Sequence, residues 1–382
     1  MAENNSNKKS IYLIHPDCSS ESRGGSQTNT LEISKHLLSF FDVKIVTAFY
    51  IPSYGIKVAA TPRSKVEKYI TKLGLKGLAE RIFGNPYQFF ESKLSFIPII
   101  IKLLRDKPSL VYPNNGYGGL AIARFYRLLT GTRFIYTEHA GMLHGMRTLK
   151  RNLKYKPDLL IVFSDETKEK VLALEPQQKV TVIPNGVDLS IFTPHGSCEK
   201  GLFDNGLPTI LCVATLNRGN HKRVELLINA MTHLKDHANL LLCGTGKDTA
   251  YFESLCKHRL PNNSKIITRS FEQMPALYRS VDLFTLPSEE EPFGKVYVEA
   301  MASGLGVVAT RDKMREYLIG DAGVLCDVNN ECEYSLALKS ALSKNWTQKA
   351  IGQSTLFDWR SVSKEYSKVI YEVLDADKPA SN

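Results

Sequence analysis

Short apolar runs rich in β-branched residues alternate with helical patterns along nearly the whole chain. In the first half, six runs predict buried strands: Ile11–His15, Val43–Ala48, Leu110–Tyr112, Phe134–Thr137, Leu159–Phe163 and Val180–Ile183. Segments with helical spacing lie between most of them, for example Thr28–Phe41 and Leu120–Leu129. This alternation predicts βαβ units built on a parallel sheet.

The second half repeats the alternation. Its predicted strands are Ile210–Ala214, Leu240–Cys243, Ile266–Thr268, Leu283–Leu286, Val307–Ala309 and Val324–Cys326. Two such series, each about half of the 382 residues, predict an α/β protein with two doubly wound domains facing each other. In such folds ligands bind beyond the carboxyl ends of the strands.

The expected division between the domains lies in the stretch from Thr193 to Pro208, which is rich in proline and glycine. We therefore expect domains at 1–195 and 196–382. The segment Trp359–Leu374 has apolar residues at helical spacing, which predicts a packing helix near 357–375 at the end of the second domain.

Composition narrows the class of protein. Hydrophobic residues make up 43% and charged residues 23%, which is ordinary for a soluble globular chain and excludes a disordered or fibrous one. The longest apolar stretches, such as Phe96–Leu104, stop short of the ~20 residues that a bilayer span needs. The segment Met1–Ser10 is polar and does not resemble a secretory signal. Seven cysteines without C-x-x-C spacing argue against disulfides and zinc, which predicts a cytoplasmic location.

The net charge of +10 is confined to the first half. Residues 1–195 carry 27 Lys and Arg against 16 Asp and Glu, whereas residues 196–382 carry 22 against 23. Within 57–107, eleven basic residues against four acidic ones are mixed with apolar and aromatic residues, which predicts a helical insertion after the second strand. Its apolar residues face either the domain core or an anionic membrane surface. The alternatives for the basic half as a whole are a solubilising surface or an anionic partner, which would be a lipid surface, a phosphate-bearing substrate or nucleic acid.

The segment from Pro287 to Gly304, PSEEEPFGKVYVEAMASG, is the most informative for chemistry. It predicts a strand end, a tight turn and a helix whose N-terminus presents backbone N–H groups to an anion such as a diphosphate. Glu291 lies in the turn, and Glu299 lies one turn inside the helix, so each can accept hydrogen bonds from hydroxyls of one extended ligand. The alternative is a solvated acidic turn followed by a surface glutamate.

These residues resemble the retaining glycosyltransferases of family 4 (group 1), which have the GT-B fold. The family motif P-S-x-x-E-x-F-G…E-A-x-A-x-G is matched by PSEEEPFGKVYVEAMASG. Further matching stretches are VIPNGVD at Val182–Asp188, HKRVELLI at His221–Ile228 and REYLIGDAGVLCD at Arg315–Asp327. The resemblance implies two Rossmann-like domains facing across a cleft, with a C-terminal helix packing back. It implies that the first domain binds the acceptor and the second binds the nucleotide-sugar donor.

The resemblance also implies residue roles in the second half. Glu299 would hold the ribose hydroxyls of the donor, and Glu291 would bond the donor sugar near its 3-hydroxyl. Phe293, Gly294 and Lys295 would offer backbone N–H groups to the sugar and diphosphate. Lys222 would neutralise the diphosphate as it leaves, because charge builds on that group in the transition state.

Further matches and one departure concern the remaining candidates. Gly24 and Gly25 would let the chain approach the phosphates or the acceptor closely, and His139 would face the reacting sugar, with a flexible loop and a buried histidine as the alternatives. Gly244 lies in a loop that would line the nucleotide site. Thr215 stands where the family usually has an arginine on the diphosphate, so Arg218 would have to supply that charge.

Other nucleotide sites are not indicated. The chain has no G-x-x-x-x-G-K-[ST] motif, which disfavours a P-loop NTPase, and no D-x-D motif for a divalent cation. We therefore expect a leaving-group site without a metal and a protein without a cofactor.

The expected activity is transfer of a hexosyl group from a nucleoside diphosphate sugar, with UDP or GDP as the nucleotide, to a hydroxyl acceptor with retention of configuration. The acceptor is either lipid-linked or phosphate-bearing, or a soluble saccharide or metabolite. The expected location is the cytoplasm, with peripheral association at the inner face of an anionic membrane. Three alternatives stay open: a GT-B sugar-nucleotide epimerase or inverting transferase, a basic nucleic-acid-binding protein, and a degenerate transferase that only binds sugar. The first half has no helix-turn-helix, RRM or zinc pattern, so we expect no nucleic-acid partner.

Overall fold

The computed structural model describes residues 8–20, 25–83, 85–114, 116–141 and 145–376. The strands are β1 Ser10–Ile14, β2 Asp42–Thr47, β3 Gly55–Lys57, β4 Leu110–Pro113, β5 Ile135–Thr137, β6 Leu159–Val162, β7 Val180–Val182, β8 Thr209–Val213, β9 Asn239–Cys243, β10 Ser264–Ile267, β11 Leu283–Leu286, β12 Gly306–Thr310 and β13 Gly323–Cys326. All twelve predicted strands are among them, and β3 is an additional short strand.

Helices connect these strands. They are α1 Gly25–Leu37, α2 Arg63–Lys72, α3 Lys76–Phe83, α4 Pro86–Asp106, α5 Tyr117–Thr130, α6 Arg147–Leu153, α7 Asp165–Leu174, α8 Val224–Thr232, α9 Thr249–Arg259, α10 Met274–Tyr278, α11 Lys295–Ala302, α12 Lys313–Ile319, α13 Glu331–Leu342, α14 Thr347–Ser354 and α15 Trp359–Asp375. Two short 3₁₀ turns cover Phe271–Gln273 and Thr355–Phe357. The insertion predicted at 57–107 forms three helices, α2 to α4.

The first compact unit consists of Met1–Ile183 and Val362–Asn382. Its strands are all parallel, in the order β3-β2-β1-β4, and a bridge between Val111 and Phe134 connects β4 to the group β5-β6-β7. Strands β1, β4 and β6 are apolar along nearly their whole length because helices cover both faces of the sheet.

The second unit, Pro184–Ser361, has a six-stranded parallel sheet in the order β10-β9-β8-β11-β12-β13. Strands β8, β9 and β10 form one half of the sheet, in order from its middle to its edge. Strands β11, β12 and β13 form the other half, and β11 lies next to β8. The direction of winding therefore reverses between β8 and β11, and loops that leave these two strands separate to form a crevice at their carboxyl ends. The expectation of two Rossmann-like α/β domains is confirmed.

The division of the chain differs from the predicted one at 195/196. The structure places it between Ile183 and Pro184, because the proline- and glycine-rich stretch packs on the second unit. The guanidinium of Arg279 donates to the carbonyl oxygens of Thr193 (3.2 Å) and Ser197 (2.9 Å), which fixes this stretch as part of the unit.

The last helix also departs from the prediction, which kept it in the second domain. Helix α15 begins in the second unit at Trp359, but from Val362 onward the chain belongs to the first unit. There the Tyr371 hydroxyl donates to the carbonyl of Phe40 (3.2 Å), and its ring lies 4.7 Å from that of Phe41. The helix packs back, as expected, because its apolar stripe is buried in the first unit.

No helix within the described parts of the chain is both long and apolar enough to cross a membrane.

Candidate functional site

A lysine and a glutamate meet at the crevice of the second unit. Lys222 lies in the loop that follows β8, and Glu291 lies in the turn that follows β11. The Lys222 ammonium Nζ is 2.5 Å from Oε2 of Glu291, and the Ser288 hydroxyl donates to the same oxygen at 2.7 Å. Nε2 of His221 is 3.7 Å from this oxygen. The loops after β8 and β11, which are far apart in sequence, thus share one charged group.

The protonation state of Glu291 follows from these neighbours. Burial alone would raise the pKa of its carboxyl group, but the charge and hydrogen bond of Lys222, the Ser288 hydroxyl and His221 outweigh burial and hold that pKa below its usual value. Glu291 is therefore ionised at neutral pH, so it can accept hydrogen bonds but is a poor proton donor.

The turn that carries Glu291 needs a glycine at its end. Gly294 has a φ of 85° and precedes the first residue of α11. A Cβ atom at this position would lie 2.6 Å from the Tyr297 ring and 3.0 Å from Cγ of Glu291. Glycine therefore allows the chain to enter the helix while the Glu291 side chain stays in place.

Helix α11 carries the second predicted carboxylate. Glu299 is 8% exposed, and the Tyr278 hydroxyl of α10 donates to its Oε2 at 3.1 Å. Burial and the nearby charge of Glu299 raise the pKa of Tyr278, so this hydroxyl keeps its proton and remains a donor. The Tyr278 hydroxyl thus orients the Glu299 carboxylate. Because Glu299 is buried, the alternative of a surface glutamate on α11 is wrong.

Two arginines that the sequence did not single out as functional stabilise the loops around Glu291. Arg315 is 1% exposed and donates to the carbonyl oxygen of Ser288 (2.7 Å) and, more weakly, to that of Glu291 (3.5 Å), while it pairs with Asp312 (2.7 Å). Arg223 donates to the carbonyl oxygen of Pro287 at 2.9 Å. Their only sequence signal is membership of the motif-like stretches around them.

Phe293, Lys295 and Gly244 are further donor-site candidates of the second unit, and each has a different structural setting. Phe293 is buried with its ring 5.7 Å from that of Phe357, so its phenyl group packs in the core, while Lys295 begins α11. Gly244 is packed so closely that a Cβ atom would lie 1.9 Å from the carbonyl oxygen of Ala214, which joins the loops after β8 and β9.

Arg218, the proposed substitute for the missing family arginine, stacks on an aromatic ring. Its guanidinium carbon lies 4.1 Å from the centre of the Tyr251 ring, and its backbone N–H donates to Asp248 at 2.8 Å. Its role on a diphosphate remains a prediction.

Two family models match the chain. The model described as Glycosyltransferase Family 4 matches residues 23–191, and the model described as Glycosyl transferases group 1 matches residues 198–355. Together they cover most of the sequence. The chain belongs to glycosyltransferase family 4.

Known proteins agree with this assignment. Over 336 residues the family 4 chain is 26% identical to the sulfoquinovosyl transferase SQD2 of Arabidopsis thaliana, a match that covers 78% of this chain and 64% of that protein. Among solved structures, a sucrose-phosphate synthase from Thermosynechococcus elongatus superposes with a TM-score of 0.76 at 19% identity, covering 97% of this chain and all of that one. Anabaena HepE in complex with UDP and glucose gives a TM-score of 0.68 at 17% identity, with 96% and 100% coverage. These structures share the GT-B fold.

The curated relatives are longer than the matched region. The alignments cover 47%, 64% and 55% of three of them, about half to two thirds of their length.

In the first unit of this family 4 chain, His139 lies just beyond β5 in a polar cluster. Nε2 of His139 is 2.6 Å from Oδ1 of Asn114, whose amide group donates to Asn29 (3.2 Å) and Thr30 (2.8 Å) of α1. Because the Asn114 amide nitrogen is already used as a donor, its Oδ1 accepts and His139 carries the proton on Nε2.

His15 is a neighbour of this cluster that sequence reasoning missed. It directly follows β1, is fully buried and lies with Nε2 3.2 Å from the Ser26 hydroxyl. Burial first, and then the charges of Arg63 and His139, lower its pKa to about 3, so it is neutral at physiological pH. Of the two predicted glycines, Gly25 begins α1, and Gly24 lies outside the described residues.

Proposed function

We propose that this protein transfers a hexosyl group from a nucleoside diphosphate sugar to a hydroxyl acceptor with retention of configuration. The Lys222–Glu291 pair is the observation that carries the proposal, because it places a cation and an ionised carboxylate side by side at the crevice of a Rossmann-like unit. A diphosphate needs the first group, and a sugar hydroxyl needs the second.

The pair suggests how the donor enters. The diphosphate replaces Glu291 as the partner of Lys222, and a sugar hydroxyl replaces Lys222 as the donor to Glu291. Each buried charge exchanges one partner for another, so neither is left uncompensated. Glu299, oriented by Tyr278, accepts hydrogen bonds from the ribose hydroxyls, and the backbone N–H groups at the start of α11 face the diphosphate.

Retention fits a substitution on one face of the sugar. The lowered pKa of Glu291 makes it unsuited to be a general acid, and its contact with Lys222 supports a role in binding. The departing phosphate oxygen then takes the proton of the attacking hydroxyl while Lys222 neutralises the diphosphate. No metal ion enters this scheme.

UDP or GDP is the proposed nucleotide; the solved structure of the similar protein HepE contains UDP and glucose. The proposed acceptor is a lipid-linked or anionic hydroxyl compound, reached by peripheral association with the inner face of a membrane. All seven cysteines are free thiols, which supports a cytoplasmic location.

The proposal is tested first by a thermal-shift screen of UDP, GDP and ADP and of their hexose esters. A nucleotide that binds only the folded protein raises the melting temperature by mass action. We expect one nucleotide family to do so, and the NMR spectrum of the product formed with that donor to show a retained anomeric configuration. If no nucleotide shifts the melting temperature, the proposed donor site is wrong; an inverted product would contradict the mechanism.

Two variants separate binding from chemistry. We expect Glu299→Ala to weaken nucleotide binding by roughly tenfold to a hundredfold, because it removes hydrogen bonds to a charged acceptor. Lys222→Ala should lower kcat by about a hundredfold or more, because the leaving group loses its counter-charge. The matched controls are the exposed Glu253→Ala and Lys235→Ala in the same unit. Equal kinetics for a variant and its control would remove that residue from the site.

A further inference from the structure

Helix α4 is apolar on two opposite sides. Its inner side carries residues such as Ile99 and Leu103, which are fully buried in the core of the first unit. Its outer side carries Leu94, Ile97, Ile101 and Leu104, which are 53%, 67%, 61% and 40% exposed. The spacing of three, four and three residues places these four side chains in one stripe along the helix. A surface helix ordinarily presents polar residues on this side.

Helix α5, which packs beside α4, also carries exposed apolar side chains. The Tyr126 hydroxyl of α5 donates to the carbonyl oxygen of Leu103 at 3.1 Å, so the last turns of α4 and α5 lie side by side. Leu128 and Leu129, in the last turn of α5, are both exposed. The last turn of α5, outside the 57–107 insertion, therefore adds two exposed apolar side chains next to the end of α4.

Helix α3 carries further exposed apolar side chains and contacts the first turn of α4. The Phe83 ring of α3 stacks on the Phe89 ring of α4, with centroids 4.9 Å apart. Leu78 and Ile82, one helical turn apart on α3, are exposed. We call the exposed apolar side chains of α3, of the outer side of α4 and of the last turn of α5 the α3–α5 face. Exposed apolar side chains gathered on three neighbouring helices are typical of a binding site rather than of ordinary solvent-facing surface.

Basic side chains border the α3–α5 face. Lys93 and Arg105 are exposed and flank the α4 stripe, and Lys72, Lys76 and Arg81 are exposed on and next to α3. Over 57–107 the chain has eleven basic residues and four acidic ones. Apolar side chains surrounded by cations are the pattern by which a protein inserts shallowly into an anionic lipid interface.

We propose that the α3–α5 face docks on the surface of an anionic lipid bilayer. The apolar side chains enter the boundary between headgroups and acyl chains, and the surrounding lysines and arginines contact the anionic headgroups. A second copy of the chain fits less well, because two such faces would bring like charges together. Docking would give the enzyme access to a lipid-linked acceptor; it rests on the proposed function in that respect and names the surface for the peripheral membrane association proposed there.

The test measures binding without turnover. The full chain is floated with vesicles of phosphatidylcholine and with vesicles that also contain phosphatidylglycerol, at low and at high salt. We expect it to bind the anionic vesicles and to be released by salt. Ile97→Ser with Ile101→Ser should weaken binding by roughly tenfold or more, because two aliphatic side chains lose their apolar environment. The matched control, Leu336→Ser with Leu356→Ser, removes two exposed leucines of the second unit and should bind as the unaltered chain does.

A charge variant tests the rim separately. Lys93→Glu with Arg105→Glu should reduce binding to anionic vesicles, whereas the exposed pair Lys235→Glu with Lys339→Glu should not. Melting temperatures of all variants confirm that they fold. Absence of vesicle binding by the unaltered chain, or equal loss in the control variants, would overturn the proposal. A concentration-dependent dimer that Ile97→Ser with Ile101→Ser makes monomeric, without vesicle binding, would instead assign the face to self-association. A failed docking test would remove the proposed membrane association but would leave the nucleotide thermal shifts, and so the proposed transfer reaction, unaffected.

Discussion

Arg315 acts on Glu291 through the backbone of the turn. Its guanidinium holds the carbonyl oxygens of Ser288 and Glu291 together and is itself held by Asp312. A buried guanidinium has several donors in a fixed plane, so it can satisfy these acceptors at once and set the position of the turn. The position of the carboxylate therefore depends on a residue 24 positions further along the chain.

Replacing this arginine by lysine tests the dependence. In Arg315→Lys the charge remains, but an ammonium group on a flexible chain cannot satisfy two carbonyl oxygens and Asp312 in the same geometry. We expect the donor KM to rise by roughly tenfold with a smaller change in kcat, because a loss of about 1.4 kcal/mol of binding corresponds to that factor. Steady-state kinetics with the donor found in the screen measures both constants.

The neighbouring Arg311→Lys is the control for this substitution. Arg311 donates to the carbonyl oxygen of Leu325 at 2.6 Å and lies outside the turn. Equal donor KM values for the two variants would show that Arg315 has only a structural role.

At the scale of elements, the turn between β11 and α11 determines whether Glu291 and the helix N-terminus can act on one ligand. Gly294→Ala would force a left-handed conformation on a residue with a Cβ atom and push that atom toward Tyr297. We expect a loss of about 1–3 kcal/mol in the free energy of unfolding and weaker nucleotide binding. Urea unfolding and the nucleotide thermal shift measure the two effects.

A second glycine supplies the comparison. Gly352 lies inside α14, where a Cβ atom would meet open space and the backbone has an ordinary helical conformation. Gly352→Ala should therefore stabilise the protein by about 0.5–1 kcal/mol. If both alanines had the same effect, the explanation by backbone strain at Gly294 would be contradicted.

The elements that could be predicted from the sequence are those whose burial produces a recognisable local pattern of apolar residues. Strands such as β8 and β11 are buried on both faces and therefore appear as apolar runs. Strand β3 escaped prediction because it is a short edge strand that is only partly buried. Helix α1 was predicted to reach Phe41, whereas it ends at Leu37. The apolar side chain of Phe41 lies beyond the helix and packs on Tyr371, so it did not indicate a longer helix.

The candidate site divides in the same way. Glu291, Glu299 and Lys222 were singled out because their motifs are local, and the family resemblance supplied their proposed roles. Tyr278 and Arg315 were not found, since their relation to the carboxylates exists only after the sheet has brought distant loops together. Resemblance to family motifs thus singles out candidate ligand-binding groups more readily than the groups that position them.

At the scale of the whole molecule, most of the last helix belongs to the first unit although it follows the second unit in the sequence. Residues 362–376 follow the second unit along the chain but belong to the first, where Tyr366 is buried beside Tyr112. The first unit is therefore completed only when the end of the chain has returned to it. The proposed nucleotide-site residues Lys222, Glu291 and Glu299 lie in the second unit, so a loss of stability in the first unit and a loss of nucleotide binding should be separable.

Tyr366→Ala tests this separation. Removing a fully buried aromatic side chain costs about 3–5 kcal/mol, and the loss falls on the first unit because its hydrogen-bonding partners Tyr112 and Thr137 are there. We expect a markedly lower melting temperature, while nucleotide affinity, measured by calorimetry well below that temperature, stays within about twofold because distant sites behave independently. Tyr371→Ala, which removes a more exposed ring from the same helix, should lower the melting temperature less. If Tyr366→Ala lost nucleotide affinity without losing stability, the expected separation would be contradicted. Helix α15 would then contribute to nucleotide binding as well as to the core of the first unit.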